Sequence, residues 1–356
     1  MSKVFYPEIR ADHPVLGSVM SPQTEVRLLG PEWDSVVVTN SLGFRDGEHD
    51  LRCDVRRIVW LGDSVVAAIR CPQEDTFPHL IGPRLSAQTI AIACGGWCQR
   101  EQYRAYQIYG RQFQATAVVL VIYAHNDLIE NPTRMFAGEN QPSIDNDELD
   151  QNILDEYRLA PLASQRTGEL KNAGTVGQPD SLMEGLQSQL RAQRRVKALA
   201  YGLGLAASPY PTWPDMYGGM AMFECYQTHL SPPWKKHYDL LLEYVTRLRG
   251  RVEGAGSKFV AVIYPSPWQV TDASWSELTM RFPDLGRQHD RQAPMRHLRE
   301  RFDKASVTYV DLLEMMDGAD AREFYFRCVD HLNQRGEALV ADLLAPKLSA
   351  HLDAAE

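Results

Sequence analysis

Three consecutive residues, Gly62-Asp63-Ser64, place a nucleophilic hydroxyl in a turn that could present it. They follow the run 57–61, whose continuous apolar character is typical of a buried parallel strand. A serine at the end of such a strand can expose its hydroxyl, and its backbone N–H joins the positive end of the helix that follows. An alternative is that Asp63 or Ser64 only caps that helix. The tripeptide therefore needs support from other residues.

Candidate hydrogen-bond donors follow the next two predicted strands. Gly96 comes after the run 89–93, and Asn126 comes after the run 117–123. Acyl transfer needs donors aimed at the negative oxygen of a tetrahedral intermediate. The backbone N–H groups of Ser64 and Gly96, together with the Asn126 amide, are predicted to form this oxyanion hole. Each also has a simpler interpretation, because Gly96 could belong only to a tight turn and Asn126 could only cap the next segment.

His331 is the candidate general base. It lies in the segment Asp330-His331-Leu332-Asn333, in a loop between the last predicted strand and the C-terminal helix. The ordinary pKa of histidine lies near neutrality, so its imidazole can take the serine proton and return it to a leaving group. The chain has 10 histidines, and the position of His331 distinguishes it from the others. There it can fold back toward the same sheet edge as Ser64.

Alternating strands and helices are predicted to position these residues. The predicted strands are 57–61, 89–93, 117–123, 258–264 and 307–310. The predicted helices are, approximately, 75–86, 100–113, 236–249, 291–303 and 335–350. This alternation indicates a parallel sheet covered on both faces, a doubly wound three-layer architecture. In such sheets the reactive groups lie at the carboxyl ends of the strands, where Ser64, Gly96 and Asn126 stand.

Three regions follow from this pattern. Residues 1–55 are predicted to be an N-terminal extension with an edge strand at Val36-Val37-Val38. Residues 56–130 and 235–356 form the predicted α/β core. Residues 131–234 separate the third strand from the fourth and are predicted to be a cap or lid over the site, with a helix at 183–200.

The motifs together resemble the SGNH or GDSL hydrolases, a family of esterases, lipases and carbohydrate acyl-esterases. The four residues that name the family match in order as Ser64, Gly96, Asn126 and His331. The resemblance runs through the segments 40–46, 62–64, 123–128, 263–266 and 331–336, and it omits the insertion. It implies a flavodoxin-like three-layer α/β/α sandwich with a five-stranded parallel sheet and an acyl-enzyme formed on the serine.

The acid of the predicted triad departs from that family's pattern. Most members carry it two or three residues before the histidine, where this chain has Val329 and Cys328. Asp330 directly precedes His331, and adjacent side chains on an extended chain point to opposite sides. Two alternatives stay open: a kinked loop lets Asp330 orient His331, or a backbone carbonyl does so and leaves a Ser–His dyad.

Another class of serine hydrolase carries its nucleophile in the motif Gly-x-Ser-x-Gly. Val66 stands where the second glycine of that motif would be, so this class is disfavoured. The predicted function is therefore cleavage of an ester, with a short acyl group on a carbohydrate or small metabolite, through an acyl-enzyme on Ser64. Two alternatives are an O-acyltransferase that uses the same acyl-enzyme and a catalytically weakened ligand-binding protein.

Composition limits the partners of the chain. The formal net charge is −9, which argues against nucleic acid because phosphate binding relies on clustered Lys and Arg. The sequence has no apolar run long enough for a membrane helix and no secretory signal at its start. Six cysteines without a signal favour reduced thiols in the cytoplasm. No cofactor and no metal are predicted, and the sequence leaves the oligomeric state open.

Overall fold

The computed structural model describes residues 9–30, 32–49, 55–129, 147–159, 219–316, 318–327 and 329–353. The predicted helix at 183–200 and most of the predicted lid, 131–234, lie outside these residues. The division into three regions therefore stays a prediction.

A parallel sheet of five strands forms the centre of the molecule. Its strands are β5 (Arg57–Gly62), β6 (Gln88–Ala93), β7 (Ala117–Tyr123), β8 (Lys258–Tyr264) and β9 (Tyr309–Asp311). Their order is β6-β5-β7-β8-β9, and each neighbouring pair is parallel. Every residue of β5 and β7 is buried, because helices cover both faces of the sheet. The predicted fold is confirmed, and this strand order is that of flavodoxin-like proteins.

The helices connect the strands and flank the sheet. They are α1 (Ser64–Ala67), α2 (Phe77–Arg84), α3 (Gln99–Ile108), α4 (Gln151–Glu156), α5 (Pro232–Gly254), α6 (Pro267–Val270), α7 (Asp272–Arg281), α8 (Leu285–Gln288), α9 (Ala293–Lys304), α10 (Leu312–Met315), α11 (Ala321–Phe324) and α12 (Gln334–Asp353). The C-terminal helix α12 packs on α2, and α5 packs on α3 and α9. Among the described residues, no helix combines the length and the apolar character needed to cross a membrane.

The N-terminal region contains a first hairpin that the sequence did not predict. Its first hairpin, β1 (Arg10–His13) with β2 (Gly17–Met20), was not expected, because a strand containing Arg, Asp and His shows no apolar pattern. The predicted edge strand is part of β4 (Asp34–Val38), which pairs with β3 (Glu25–Leu29) in a separate two-stranded sheet. It is therefore not an edge of the central sheet. Its residues alternate between exposed and buried, as expected for a hairpin with one face against the core.

The segment after β4 anchors the N-terminal region to the core. One oxygen of the buried Asp46 carboxylate accepts a hydrogen bond from the Ala91 N–H at 2.7 Å and lies 2.8 Å from His49 Nε2, and the other accepts from the Gly47 N–H at 2.8 Å. The buried Arg45 guanidinium donates to the carbonyls of Ala67 and Ala68, at 3.1 and 2.8 Å. These two carbonyls end the turn that begins at Ser64, so this segment supports the predicted nucleophile directly.

Candidate active site

Ser64 begins a single helical turn at the carboxyl end of β5. Gly62 ends the strand, and a Cβ there would overlap the side chain of Val66, so the close return of the chain needs glycine. Asp63 caps the turn by accepting a hydrogen bond from the Val65 N–H at 3.0 Å. The sequence predicted that the Ser64 N–H joins the positive end of a helix. Because α1 has only four residues, its dipole contributes little positive charge there.

His331 contacts the Ser64 hydroxyl although 267 positions separate the two residues. The distance from His331 Nε2 to Ser64 Oγ is 2.8 Å. On the other side of the ring, Nδ1 lies 3.1 Å from Asp330 Oδ1. This arrangement holds the ring in the tautomer whose Nε2 can accept the serine proton.

A tight loop brings the side chains of Asp330 and His331 together. The Phe326 N–H donates to the His331 carbonyl at 2.9 Å, and the Asn333 N–H donates to the Phe324 carbonyl at 2.9 Å. Gly336 closes this arrangement, because a Cβ there would overlap the Phe324 carbonyl. The chain is bent rather than extended at these residues. The structure thus has the kinked loop that the first alternative required.

Asp330 is buried and bonded through both of its carboxylate oxygens. One oxygen faces His331 Nδ1, and the other accepts a hydrogen bond from the Tyr123 hydroxyl at 2.7 Å. Burial raises the pKa of this carboxyl, but the hydrogen bond and charge of His331, with the Tyr123 hydrogen bond, lower it to about 2. Asp330 is therefore an anion at neutral pH. The sequence did not identify Tyr123, which is 207 positions away.

Asn126 lies beside Ser64 but has a partner that the sequence did not predict. Its amide Nδ2 donates to the Asp63 carboxylate at 2.9 Å. The same carboxylate oxygen is 3.3 Å from Ser64 Oγ, so both polar side chains meet at Asp63. The amide has a second N–H available for a substrate oxygen. Burial raises the pKa of the Asp63 carboxyl, against the hydrogen bonds from Val65 and Asn126.

The glycine pair after β6 forms a tight turn against Ser64. The Trp97 N–H donates to the Cys94 carbonyl at 3.1 Å, and Gly96 has a φ of 80°, which the third residue of a type II turn requires. A Cβ on Gly95 would lie 3.4 Å from Ser64 Cβ, so the turn packs directly on the serine. The turn uses the Trp97 N–H and leaves the Gly96 N–H outside its own hydrogen bond.

Arg10 holds this turn from the first hairpin. Its guanidinium donates to the Gly95 carbonyl at 2.7 Å and to Ser18 Oγ at 3.1 Å. No pattern in the sequence connects β1 with the glycine pair, because 85 positions separate Arg10 from Gly95. The N-terminal hairpin therefore takes part in positioning the candidate oxyanion donor.

A second histidine, His125, lies in the wall of the site. It is fully buried among the rings of Phe223, Tyr226 and Trp268, whose centroids are 5.8, 5.8 and 5.1 Å from its own. Burial lowers the pKa of its imidazole to about 4, so the ring is neutral at pH 7. His125 Nδ1 lies 3.4 Å from the Tyr226 hydroxyl.

The structure brings Ser64, His331 and Asp330 together by direct contacts and connects Asn126 to Ser64 through Asp63, and Gly96 belongs to the turn that packs on Ser64. A hydroxyl with a base at one side and N–H donors at another has the components of acyl transfer. The sequence alone missed Tyr123, Arg10 and Arg45. Arg45 and Tyr123 lay in segments noted for the family resemblance, 40–46 and 123–128, but neither had been given a role, and Arg10 lay outside every such segment.

Comparison with known proteins gives structural similarity only. No protein-family model and no curated protein matches the sequence. A lipase/acylhydrolase from Enterococcus faecalis is 10% identical over 85% of this chain and 99% of its own, with a TM-score of 0.41. The psychrotrophic esterase EstA from Pseudoalteromonas sp. is 11% identical over 84% of this chain and 100% of its own, with a TM-score of 0.39.

A GDSL-like lipase from Bacteroides thetaiotaomicron is 8% identical over 82% of this chain and 87% of its own, with a TM-score of 0.38. Solved structures similar to this chain thus include lipases, acylhydrolases and esterases. Similarity at this level assigns no activity. The function proposed next depends on the geometry of the site.

Proposed function

We propose that the protein is a serine hydrolase that cleaves an ester through an acyl-enzyme on Ser64. One observation carries the proposal: His331 Nε2 lies 2.8 Å from Ser64 Oγ, while its Nδ1 lies 3.1 Å from the Asp330 carboxylate. This is the order of nucleophile, base and orienting acid that general-base activation of a serine requires.

The first half of the proposed reaction is acylation. His331 Nε2 takes the hydroxyl proton as Ser64 Oγ attacks the ester carbonyl carbon. The carbonyl oxygen becomes an oxyanion, which the Ser64 and Gly96 N–H groups and the second N–H of Asn126 stabilise. The intermediate collapses when the bond to the alcohol oxygen breaks, and His331 returns the proton to that oxygen. The alcohol then leaves the acyl-enzyme.

The second half releases the acyl group to water. His331 now takes a proton from a water molecule, whose oxygen attacks the acyl carbon. The bond from that carbon to Ser64 Oγ then breaks, His331 returns the proton to Oγ, and the acid leaves. If an alcohol enters in place of water, the same acyl-enzyme makes the protein an O-acyltransferase. Products formed with and without added sugar alcohols distinguish the two fates, because only transfer consumes the alcohol.

The decisive experiment is covalent labelling with a fluorophosphonate. We expect one adduct on Ser64, located by peptide mass spectrometry, and none in Ser64→Ala. The matched control is Ser266→Ala, which removes another buried serine hydroxyl, one that contacts Tyr226 at 2.9 Å, and should label normally. A folded wild-type protein without an adduct on Ser64 would instead favour a ligand-binding protein of this fold.

The proposed substrate is a short acyl ester of a carbohydrate or small metabolite. A series of p-nitrophenyl esters from acetate to palmitate tests the length of the acyl group, with Ser64→Ala as the background rate. We expect the highest kcat/KM at the short end. A maximum at palmitate would contradict the proposed acyl length without contradicting the nucleophile.

A further inference from the structure

The candidate acid has an unusual place in the chain, because it directly precedes the histidine that it orients. Its side chain reaches Nδ1 of His331 only through the bent loop. Nothing in the covalent chain keeps the carboxylate in this orientation, since rotation about its side-chain bonds would carry it away. The orientation of Asp330 therefore needs a second contact from elsewhere in the fold.

Tyr123 supplies that contact. Its hydroxyl lies 2.7 Å from Asp330 Oδ2, while the other oxygen of the same carboxylate faces His331. Each oxygen of Asp330 is thus bonded to a different donor, and both torsions of the side chain are constrained. The contact crosses from the end of a central strand to the histidine loop, two parts of the site that the covalent chain joins only distantly.

The tyrosine itself is held rigidly. It is the last residue of β7, is fully buried, and pairs in register with Tyr264 of β8. Its backbone N–H donates to the Asp127 carboxylate at 3.0 Å, and its ring meets the Tyr264 ring edge to face, with centroids 5.4 Å apart. A side chain on a rigid strand positions a partner more accurately than one on a loop.

We propose that Tyr123 is a positioning residue for the reaction: its hydroxyl holds Asp330 in the orientation that aligns His331 with Ser64. This inference rests on the proposed function, because it assigns a role in the same site. It also gives a physical reason why an acid adjacent to the histidine can replace one placed two or three residues earlier.

The direction of this hydrogen bond does not change with pH over the working range. Burial, with the neighbouring Asp330 charge, raises the pKa of the Tyr123 hydroxyl well above its ordinary value, so the phenol keeps its proton. Tyr123 therefore always donates, and Asp330 always accepts.

A double-mutant comparison tests the proposal, using the rate of fluorophosphonate labelling of Ser64 and kcat/KM for an acetyl ester. Tyr123→Phe removes only the hydroxyl, and we expect it to lower both about ten- to a hundredfold, the size of a hydrogen bond to a charged group. KM should change little, since Tyr123 is buried away from the substrate. In an Asp330→Asn background, adding Tyr123→Phe should change the rates less than about twofold, because both changes break the same linkage.

Tyr238→Phe is the matched control. Tyr238 is also fully buried, and its hydroxyl donates to the Cys225 carbonyl at 2.9 Å, outside the site. It should label at the wild-type rate. Equal losses from Tyr123→Phe in the wild-type and Asp330→Asn backgrounds would overturn the positioning role, because a purely structural effect does not depend on Asp330.

The two proposals fail in different ways. Labelling of wild-type Ser64 with an unchanged rate in Tyr123→Phe overturns the role of Tyr123 alone, whereas no labelling of wild-type Ser64 overturns the proposed function and this role with it. A measurement on the unaltered protein covers the case in which Tyr123→Phe does not fold. Its Tyr123 hydroxyl proton should be visible by NMR through slow exchange, and it should exchange faster in Asp330→Ala, which leaves the hydroxyl only the main-chain carbonyl of residue 330 at 3.2 Å. A rapidly exchanging proton in the wild type would contradict the proposal.

Discussion

Two buried carboxylates are linked to the Ser64 hydroxyl, Asp63 by a direct contact at 3.3 Å and Asp330 through the ring of His331, and their surroundings differ. Asp63, on the strand side, accepts hydrogen bonds from neutral donors, the Val65 N–H and the Asn126 amide. Asp330, on the loop side, faces the ionisable ring of His331 and the Tyr123 hydroxyl. The pKa of Asp63 is raised by burial, whereas the pKa of Asp330 is lowered to about 2, despite burial, by His331.

The comparison shows that closeness to the nucleophile does not assign a role to a carboxylate. The partners of each group do so, because they decide whether its charge is stabilised. Asp63 shapes the turn and holds Asn126, and in the proposed mechanism Asp330 stabilises the imidazolium that forms when His331 takes a proton.

The largest expected loss of activity comes from a change on the loop side, at Asp330. Asp330→Asn keeps the shape of the side chain and removes its charge, so the imidazolium loses its partner and Nδ1 can meet an N–H donor. We expect kcat to fall by about 10⁴, as for other triads that lose their acid in this way. Steady-state kinetics with a p-nitrophenyl ester measures it. A change of less than tenfold would mean that His331 acts without Asp330, as in the dyad that the sequence left open.

On the strand side, the largest loss of activity is expected from changing Asn126, the donor whose amide is bonded to Asp63. Asn126→Ala removes the candidate oxyanion donor, and we expect turnover to fall by about 10²–10³ with little change in KM. The same kinetic assay measures it, and circular dichroism checks the fold. Unchanged turnover would remove Asn126 from the mechanism and leave it as a purely structural partner of Asp63.

A third buried carboxyl, Glu337 of α12, makes the stability of the protein depend on pH. It accepts a hydrogen bond from the Phe77 N–H at 2.9 Å, and burial raises its pKa from 4.5 to about 8. Between these values the unfolded chain releases the proton and the folded protein keeps it. The contribution of Glu337 to the free energy of unfolding should therefore fall by about 1.4 kcal/mol for each pH unit in this range.

Urea unfolding from pH 4.5 to 8.5 measures this slope. Glu337→Gln, which is neutral at every pH, should remove the contribution of Glu337 to this slope. Asp342→Asn, which changes an exposed carboxylate of the same helix, is the matched control and should keep the wild-type slope. Equal slopes in wild type and Glu337→Gln would mean that the Glu337 carboxyl ionises in the folded protein as it does in the unfolded chain.

The smallest expected effect is that of Asp63→Asn. The new side chain can still cap the Val65 N–H, so the free energy of unfolding should change by less than about 1 kcal/mol. Its amide would meet the Asn126 amide, which must rotate to present its oxygen, and turnover should fall about tenfold. Chemical unfolding and the ester assay measure both changes. A loss as large as that of Asp330→Asn would show that the two carboxylates share one role.

Much of the central sheet was predictable because its strands are continuous apolar runs between polar ends. The predicted bounds of β7 and β8 agree with the structure. The last strand is displaced, from 307–310 to Tyr309–Asp311, because the carboxylate of Asp311 both ends the strand and caps the next turn at the Leu313 N–H. A search for apolar runs places the end of a strand too early when its last residue is a buried charged residue.

The positions of the candidate site residues were predictable, but their mutual contacts were not. Ser64, Gly96 and Asn126 follow strands that the pattern identifies, and parallel strands bring their carboxyl ends to one edge. The contacts of Tyr123 with Asp330 and of Arg10 with Gly95 join segments 207 and 85 positions apart. Contacts between residues so far apart in the sequence depend on how the whole domain packs. A local sequence pattern carries no information about that packing.

Ser64 and its proposed base, His331, are far apart in the sequence, and this distance has a consequence while the protein is being synthesised. A ribosome completes the nucleophile and its glycine turn early, and it adds His331 only 267 residues later. At about 5–20 residues per second, the serine exists for tens of seconds without a base. During that interval the nascent chain can pair β5, β6 and β7 but cannot acylate its hydroxyl efficiently. In the proposed mechanism, this chain order delays the reactivity of Ser64 until all five strands of the sheet and the loop of His331 have been made.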